Sequence, residues 1–289
     1  MRRAYADTCL GQIHYATWGD ASNPTLVLLP QGGRSVAMYK ELAAELDAEF
    51  HLVAIDYPGS GWSDPLRDGT SFGEIGAAFI DLLDTLGLRE VALYGHHTGN
   101  KIGTAMAAAF PERIRRFVLV GQSHSIVADN SRRGGTVGKT KRKLLEAADE
   151  REAALVQWAD LFSVISSRWW DEGLVRDFDN AARRSATILK VADELMSAES
   201  APALYRANFA YDLERDLRRI EAPTLIIEIA SPSEDRAIGR QGDHLLEIMK
   251  RAQLAVLEEP DWHGNTMEHR AADLARLLRT FLEAPASPG

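Results

Sequence analysis

Cysteine is almost absent. Cys9 stands alone in 289 residues, so no internal disulfide can form and a disulfide-stapled scaffold is excluded. A lone thiol of this kind reads as a small packed hydrophobe rather than a nucleophile. An excess of basic charge is absent too. Lys and Arg total 33 against 42 Asp and Glu, a net charge of −9, which argues against phosphate-backbone binding and leaves no nucleic-acid partner expected. No apolar run approaches the roughly 20 residues of a membrane helix, so no membrane partner is expected. Residues 1–11 hold two arginines but no apolar centre, so they do not read as a secretory signal, and the cytoplasm is the expected compartment. No internal repeat or low-complexity tract is visible. What remains is ordinary globular composition, 45% hydrophobic and 26% charged, long enough to bury a sizeable core in one large domain or two small ones.

Residues 9–10 and 12–18, divided by Gly11 and followed by a turn through Gly19 to Pro24, read as a hairpin. Compact apolar runs then fall at 25–29, 51–55, 91–94, 117–120, 224–229 and 254–257. Each has the length of a buried strand, and the lack of alternation suggests cover on both faces, as in a parallel sheet. Helical spacing separates them. It is carried by Met38, Leu42, Ala43 and Leu46, then by Ile75, Ala78, Phe79, Leu82, Leu83 and Leu86 with Gly87 as a stop. Residues 101–110, ended by Pro111, and 271–282 follow the same spacing. Strand–helix alternation predicts a doubly wound α/β fold.

The alternation breaks once, between Ser123 and Ile220. Residues 139–159, 174–189 and 193–217 read as helical there, and Trp158, Phe162, Trp169, Trp170, Phe178, Tyr205, Phe209 and Tyr211 are concentrated in the segment. Residues 129–143, rich in Gly, Arg and Lys, read as a loop. The expected division is a core of residues 1–122 and 221–289 with a helical insertion at 123–220. Most of its aromatics read as ordinary core, while some would line the space between insertion and core.

The sharpest chemical signal is Tyr94-Gly95-His96-His97-Thr98-Gly99-Asn100, between a strand and a helix. Its spacing is that of a nucleophile elbow, G-x-S-x-G, with His97 where serine is usual. Other segments in order are Leu28-Leu29-Pro30-Gln31-Gly32-Gly33-Arg34-Ser35, Asp56-Tyr57-Pro58-Gly59-Ser60-Gly61-Trp62-Ser63-Asp64, Ala222-Pro223-Thr224-Leu225 and Glu259-Pro260-Asp261-Trp262-His263-Gly264-Asn265. Together they resemble the α/β-hydrolase superfamily along nearly the whole chain. The resemblance implies a mostly parallel eight-stranded sheet with helices on both faces, and a helical cap at 123–220.

The resemblance also implies roles. Position 97 is the nucleophile position. Thr98 and Gly32 supply oxyanion-hole N–H groups, and His263 is the base. The supporting acid falls after the seventh strand, where Glu234 and Asp235 are both candidates; the alternative is that both are solvated and Arg236 pairs with one. Gln31, Arg34 and Trp262 fall on the oxyanion or substrate side. Arg34 reads as a solvated loop residue or as a bidentate partner of a substrate carboxylate. His96 reads as structural. No cofactor or metal is expected, since the histidines lack acidic partners at ligand spacing.

Histidine at the elbow changes the chemistry. A neutral imidazole needs no base to attack an ester, and it can also act as a base on water. Hydrolysis of a small apolar ester, lactone or related acyl compound is the leading expectation. A cofactor-free lyase, oxygenase or cyclase using two histidines is the alternative, and a ligand-binding protein the third.

Overall fold

The computed structural model describes residues 1–121, 151–152, 188–189, 192–232, 235, 239–259, 267 and 270–284. The elements are β1 (Arg2–Thr8), β2 (Gly11–Trp18), β3 (Thr25–Leu29), α1 (Lys40–Leu46), β4 (His51–Ile55), α2 (Phe72–Thr85), β5 (Val91–His96), α3 (Thr98–Ala109), β6 (Ile114–Val120), α4 (Ala201–Ala210), α5 (Leu213–Leu217), β7 (Thr224–Ala230), α6 (Gly242–Ile248), β8 (Ala252–Glu258) and α7 (Ala271–Glu283).

The strands form one eight-stranded sheet in the order β1-β2-β4-β3-β5-β6-β7-β8. β2 is antiparallel to β1 and β4, and every later pair is parallel. The apolar runs explain the arrangement. Every residue of β3, β4, β5 and β7 is buried, because successive side chains enter different cores. Val27 and Leu29 pack toward Phe79 of α2 and Ile102 and Met106 of α3. Leu26 and Leu28 pack toward Leu42 of α1 and Leu274 and Leu278 of α7. Each such side chain stabilises the fold by about 1.5–3 kcal/mol. β8, at the sheet edge, departs from the buried expectation, with Val256 exposed.

Local signals set the helix ends. Ser71 caps α2: its hydroxyl accepts the Glu74 N–H at 3.2 Å, while the Glu74 carboxylate accepts the Ser71 N–H at 2.7 Å, a reciprocal capping box. The hairpin differs from expectation. Its first strand is Arg2–Thr8 and Cys9–Leu10 form the turn, so Cys9 is exposed rather than packed. In β1 Ala6 is the one buried residue, so no apolar run marked that edge strand.

Of the 123–220 insertion, residues 192–220 are described in continuity; 192–197, α4 and α5 are helical. The expected loop 129–143 and nearly all of the expected helices 139–159 and 174–189 lie outside the described residues. No helix among the described residues is long and apolar enough to cross a membrane.

Candidate active site

The β5–α3 turn is built by its glycines. A Cβ on Gly95 would sit 2.5 Å from the Gly99 carbonyl, and one on Gly99 would overlap the Leu29 carbonyl oxygen. Strand, turn and helix can approach this closely only without those side chains. Between them His97 takes φ 49° and ψ −105°. Among the described residues it is the one non-glycine with positive φ. That conformation costs roughly 1–3 kcal/mol and persists only where surroundings enforce it.

Several contacts enforce it. The His97 N–H donates to the Val120 carbonyl at 3.1 Å, and the Asn100 N–H donates to the His97 carbonyl at 3.0 Å. Buried Asn100 ties the turn to the end of β6: its Nδ2 donates to the Val120 and Gly121 carbonyls at 3.0 and 3.1 Å, and its Oδ1 accepts the Val120 N–H at 3.1 Å. Gly121 gives room for the imidazole, since a Cβ there would lie 2.8 Å from His97 Nε2 and Cδ2. Asn100 and Gly121 were not singled out from sequence. Their signals were a polar residue opening an otherwise apolar helix, and a glycine ending a strand.

The His96 and His97 rings meet edge to face, centroids 4.4 Å apart. His96 is buried, which pushes its pKa well below the usual histidine value. His97 and Arg34 press the same way, and the Val120 carbonyl opposes them. Its Nδ1 has no hydrogen-bond partner among the described residues.

Gly32 and Thr98 are brought together: a Cβ on Gly32 would lie 2.9 Å from Thr98 Oγ1. Gln31 accepts the Arg34 N–H through its carbonyl at 3.0 Å, closing a turn in which Gly33 has φ +77°. Beneath, the Tyr39 hydroxyl donates to the Leu29 carbonyl at 2.7 Å, and the Tyr39 ring meets Tyr94 edge to face. Asp56 knits the two neighbouring loops. Its carboxylate accepts the Val36 N–H at 2.7 Å and the Trp62 N–H at 3.1 Å, and lies 2.7 Å from His14 Nδ1.

Arg34 departs from the solvated reading. It is 3% exposed, and its Nε lies 3.2 Å from the carboxylate of Asp193, which is equally buried. The same Asp193 oxygen accepts the Ser35 N–H at 3.1 Å. Burial raises the Asp193 pKa, against the hydrogen bonds from Ser35 and the charge of Arg34. Asp235 turns to Arg240, whose Nε is 2.7 Å from its Oδ1; Arg240 also approaches buried Glu228 at 3.7 Å. Glu234, Trp262 and His263 lie outside the described residues.

Residues 24–232 match the alpha/beta hydrolase fold family, and the chain belongs to that family. It is 28% identical over 251 residues to RutD of Stutzerimonas stutzeri, named as a proposed carbamate hydrolase, a match covering 85% of this chain and 88% of that protein. It is 25% identical over 273 residues to 3-oxoadipate enol-lactonase 2 of Acinetobacter baylyi, covering 91% and 96%. In fold it is similar to a hydrolase from Pseudomonas aeruginosa PA01, with TM-score 0.73, 22% identity and 98% of each chain covered.

Proposed function

We propose that the chain hydrolyses a small, apolar ester, lactone or related acyl compound, using His97 and His263 and no cofactor. The observation that carries this reading is His97 held at φ 49° between β5 and α3, beside the Gly32–Thr98 contact. Its hydrolase relatives support the reaction class, and the enol-lactonase among them supports an acyl substrate. The 123–220 segment is read as a cap over this site.

A neutral imidazole is already a nucleophile. In the proposed mechanism its lone pair attacks the acyl carbonyl, forming the N–C bond and putting charge on the carbonyl oxygen. The N–H groups of Thr98 and Gly32 receive that charge; each such donor is worth about 10²–10³ in rate. The C–O bond then breaks, and the leaving oxygen takes a proton from the His263 imidazolium. Water next attacks the acyl-imidazolium while His263 accepts its proton. The N–C bond breaks, giving the acid, neutral His97 and protonated His263.

Glu234 or Asp235 supports His263 in this scheme, and Asp235 would share its carboxylate with Arg240. Gln31 and Trp262 are read as substrate contacts. The Asp193 pairing favours a loop-holding role for Arg34 over capture of a substrate carboxylate.

Histidine standing at 97 where the family usually has serine favours one second reading, a cofactor-free lyase, oxygenase or cyclase in which His97 takes a proton beside a substrate carbonyl and His263 is its acid–base partner. Turnover of an ester and lactone panel in ¹⁸O-water separates the two. Hydrolysis puts one labelled oxygen into the released acid. Turnover without label would sink the hydrolytic reading, and ligand-induced thermal stabilisation without turnover would indicate a binding protein.

A further inference from the structure

Three buried contacts join residues 192–210 to two loops of the core and to α3. Asp193 takes the Arg34 guanidinium and the Ser35 N–H with one carboxylate oxygen, at 3.2 and 3.1 Å. The Ser200 hydroxyl accepts the Leu66 N–H at 3.2 Å, in the loop after β4. Lys101, in the first turn of α3 and 1% exposed, donates from Nζ to the Asn208 carbonyl at 2.9 Å.

The first contact differs from the others in what it holds. Gly32 lies two positions before Arg34. A Cβ on Gly32 would lie 2.9 Å from Thr98 Oγ1 and 3.2 Å from Leu204 of α4, and one on Gly33 would lie 3.6 Å from Ser197 Oγ. The loop therefore lies close to both α3 and the insertion. Gly33 at φ +77° sits in the turn closed by the Arg34 N–H on the Gln31 carbonyl, at a position where glycine adds no side-chain restraint. A further restraint comes from Ser35, whose N–H is held from the insertion side by Asp193. Ser35 is also the N-cap of the 3₁₀ turn Val36–Tyr39. Asp193 thus holds the chain two and three residues beyond Gly32.

We infer that Asp193 is a positioning residue: from the insertion between β6 and β7 it orients the loop 31–35, through Arg34 and the Ser35 N–H, so that the Gly32 backbone faces the reacting oxygen. The inference rests on the hydrolytic reading for what the loop does, but not for how the loop is held. A carboxylate remote from the chemistry thereby acts on rate. Loss of alignment by about an ångström is enough to cost about 100-fold.

The test uses the full chain and two readouts, one independent of activity. The variants are Asp193→Asn and the double Arg34→Met/Asp193→Leu, which removes both charges at once and leaves neither stranded. The first readout is amide hydrogen exchange at residues 32–36, with α7 as internal reference. The second is kcat and KM on a p-nitrophenyl ester. Both variants are expected to speed loop exchange about tenfold while α7 keeps its protection, since exchange reports local opening. kcat is expected to fall about 10- to 100-fold with KM within about threefold, as for a lost transition-state contact. Should Asp193→Asn fail to fold, the double variant carries the same test. Wild-type loop protection in a folded variant overturns the inference, whatever the ester result. Faster loop exchange with wild-type protein inert on every ester supports Asp193 as the loop's anchor and counts against the hydrolytic reading alone.

Discussion

The imidazole of His97 lies against the bare Cα of Gly121, where an added Cβ would come within 2.8 Å of Nε2. Gly121→Ala must therefore push the ring aside, and the φ of +70° at this position adds roughly 1–2 kcal/mol of backbone strain. The expected outcome is a folded, somewhat less stable protein whose ester turnover drops about 100-fold, as misaligned reacting groups do. Steady-state kinetics beside a thermal melt check it. Wild-type kcat in the variant would show that the ring's place against Gly121 is unimportant.

The elbow conformation has a stability consequence of its own. His97→Gly removes the positive-φ strain at 97, worth roughly 1–3 kcal/mol, and gives back up to about 1 kcal/mol in unfolded-chain entropy. The variant is expected to be at least as stable as wild type and inactive. Urea unfolding measures this, and a loss above about 1 kcal/mol would mean that the imidazole's packing outweighs the strain.

Asn100 makes the opposite case. Its side chain satisfies the Val120 N–H and two carbonyls. Asn100→Leu would strip the Val120 N–H and the part-buried Gly121 carbonyl of these bonds, at about 1–3 kcal/mol for each unsatisfied group, while the Val120 carbonyl keeps the His97 N–H. A drop in melting temperature with loss of activity is expected. Unchanged stability would mean that the groups find other partners.

His96 ties stability to pH. Its pKa in the folded chain lies well below 6.5 because burial, His97 and Arg34 all disfavour its proton. Below 6.5 the unfolded chain binds a proton there that the folded chain refuses. The contribution of His96 is thus fully present above that pH, and it is lost as pH falls through the folded-state value. His51, also depressed by burial, acts in the same direction. His96→Gln is expected to flatten the slope of unfolding free energy against pH just below 6.5, leaving the His51 share. Chemical denaturation across that range measures it, and an unaltered slope would show that His96 titrates normally.

The sheet was legible in the sequence because buried parallel strands write themselves as apolar runs: 25–29 and 51–55 coincide with β3 and β4. β1 was not legible, since an edge strand needs one buried face and here buries Ala6 alone. At the site, the resemblance to the α/β-hydrolase family pointed to the elbow and implied that Gly32 and Thr98 serve one site, and the structure places these two together. Arg34 was misread because nothing local tells a solvated arginine from one whose partner, Asp193, stands 159 residues away. Asn100 escaped for the same reason, as its role depends on β6 lying beside β5.

The most direct test of the central claim is turnover of a short- to medium-chain p-nitrophenyl ester panel by wild type, His97→Ala and His97→Ser. Wild type is expected to turn over at least one ester, and His97→Ala to fall to the uncatalysed rate. Wild-type turnover retained in His97→Ala would contradict a reaction carried by His97. A silent wild type alongside an active His97→Ser would mean that the oxyanion donors persist and that histidine serves a reaction other than ester hydrolysis.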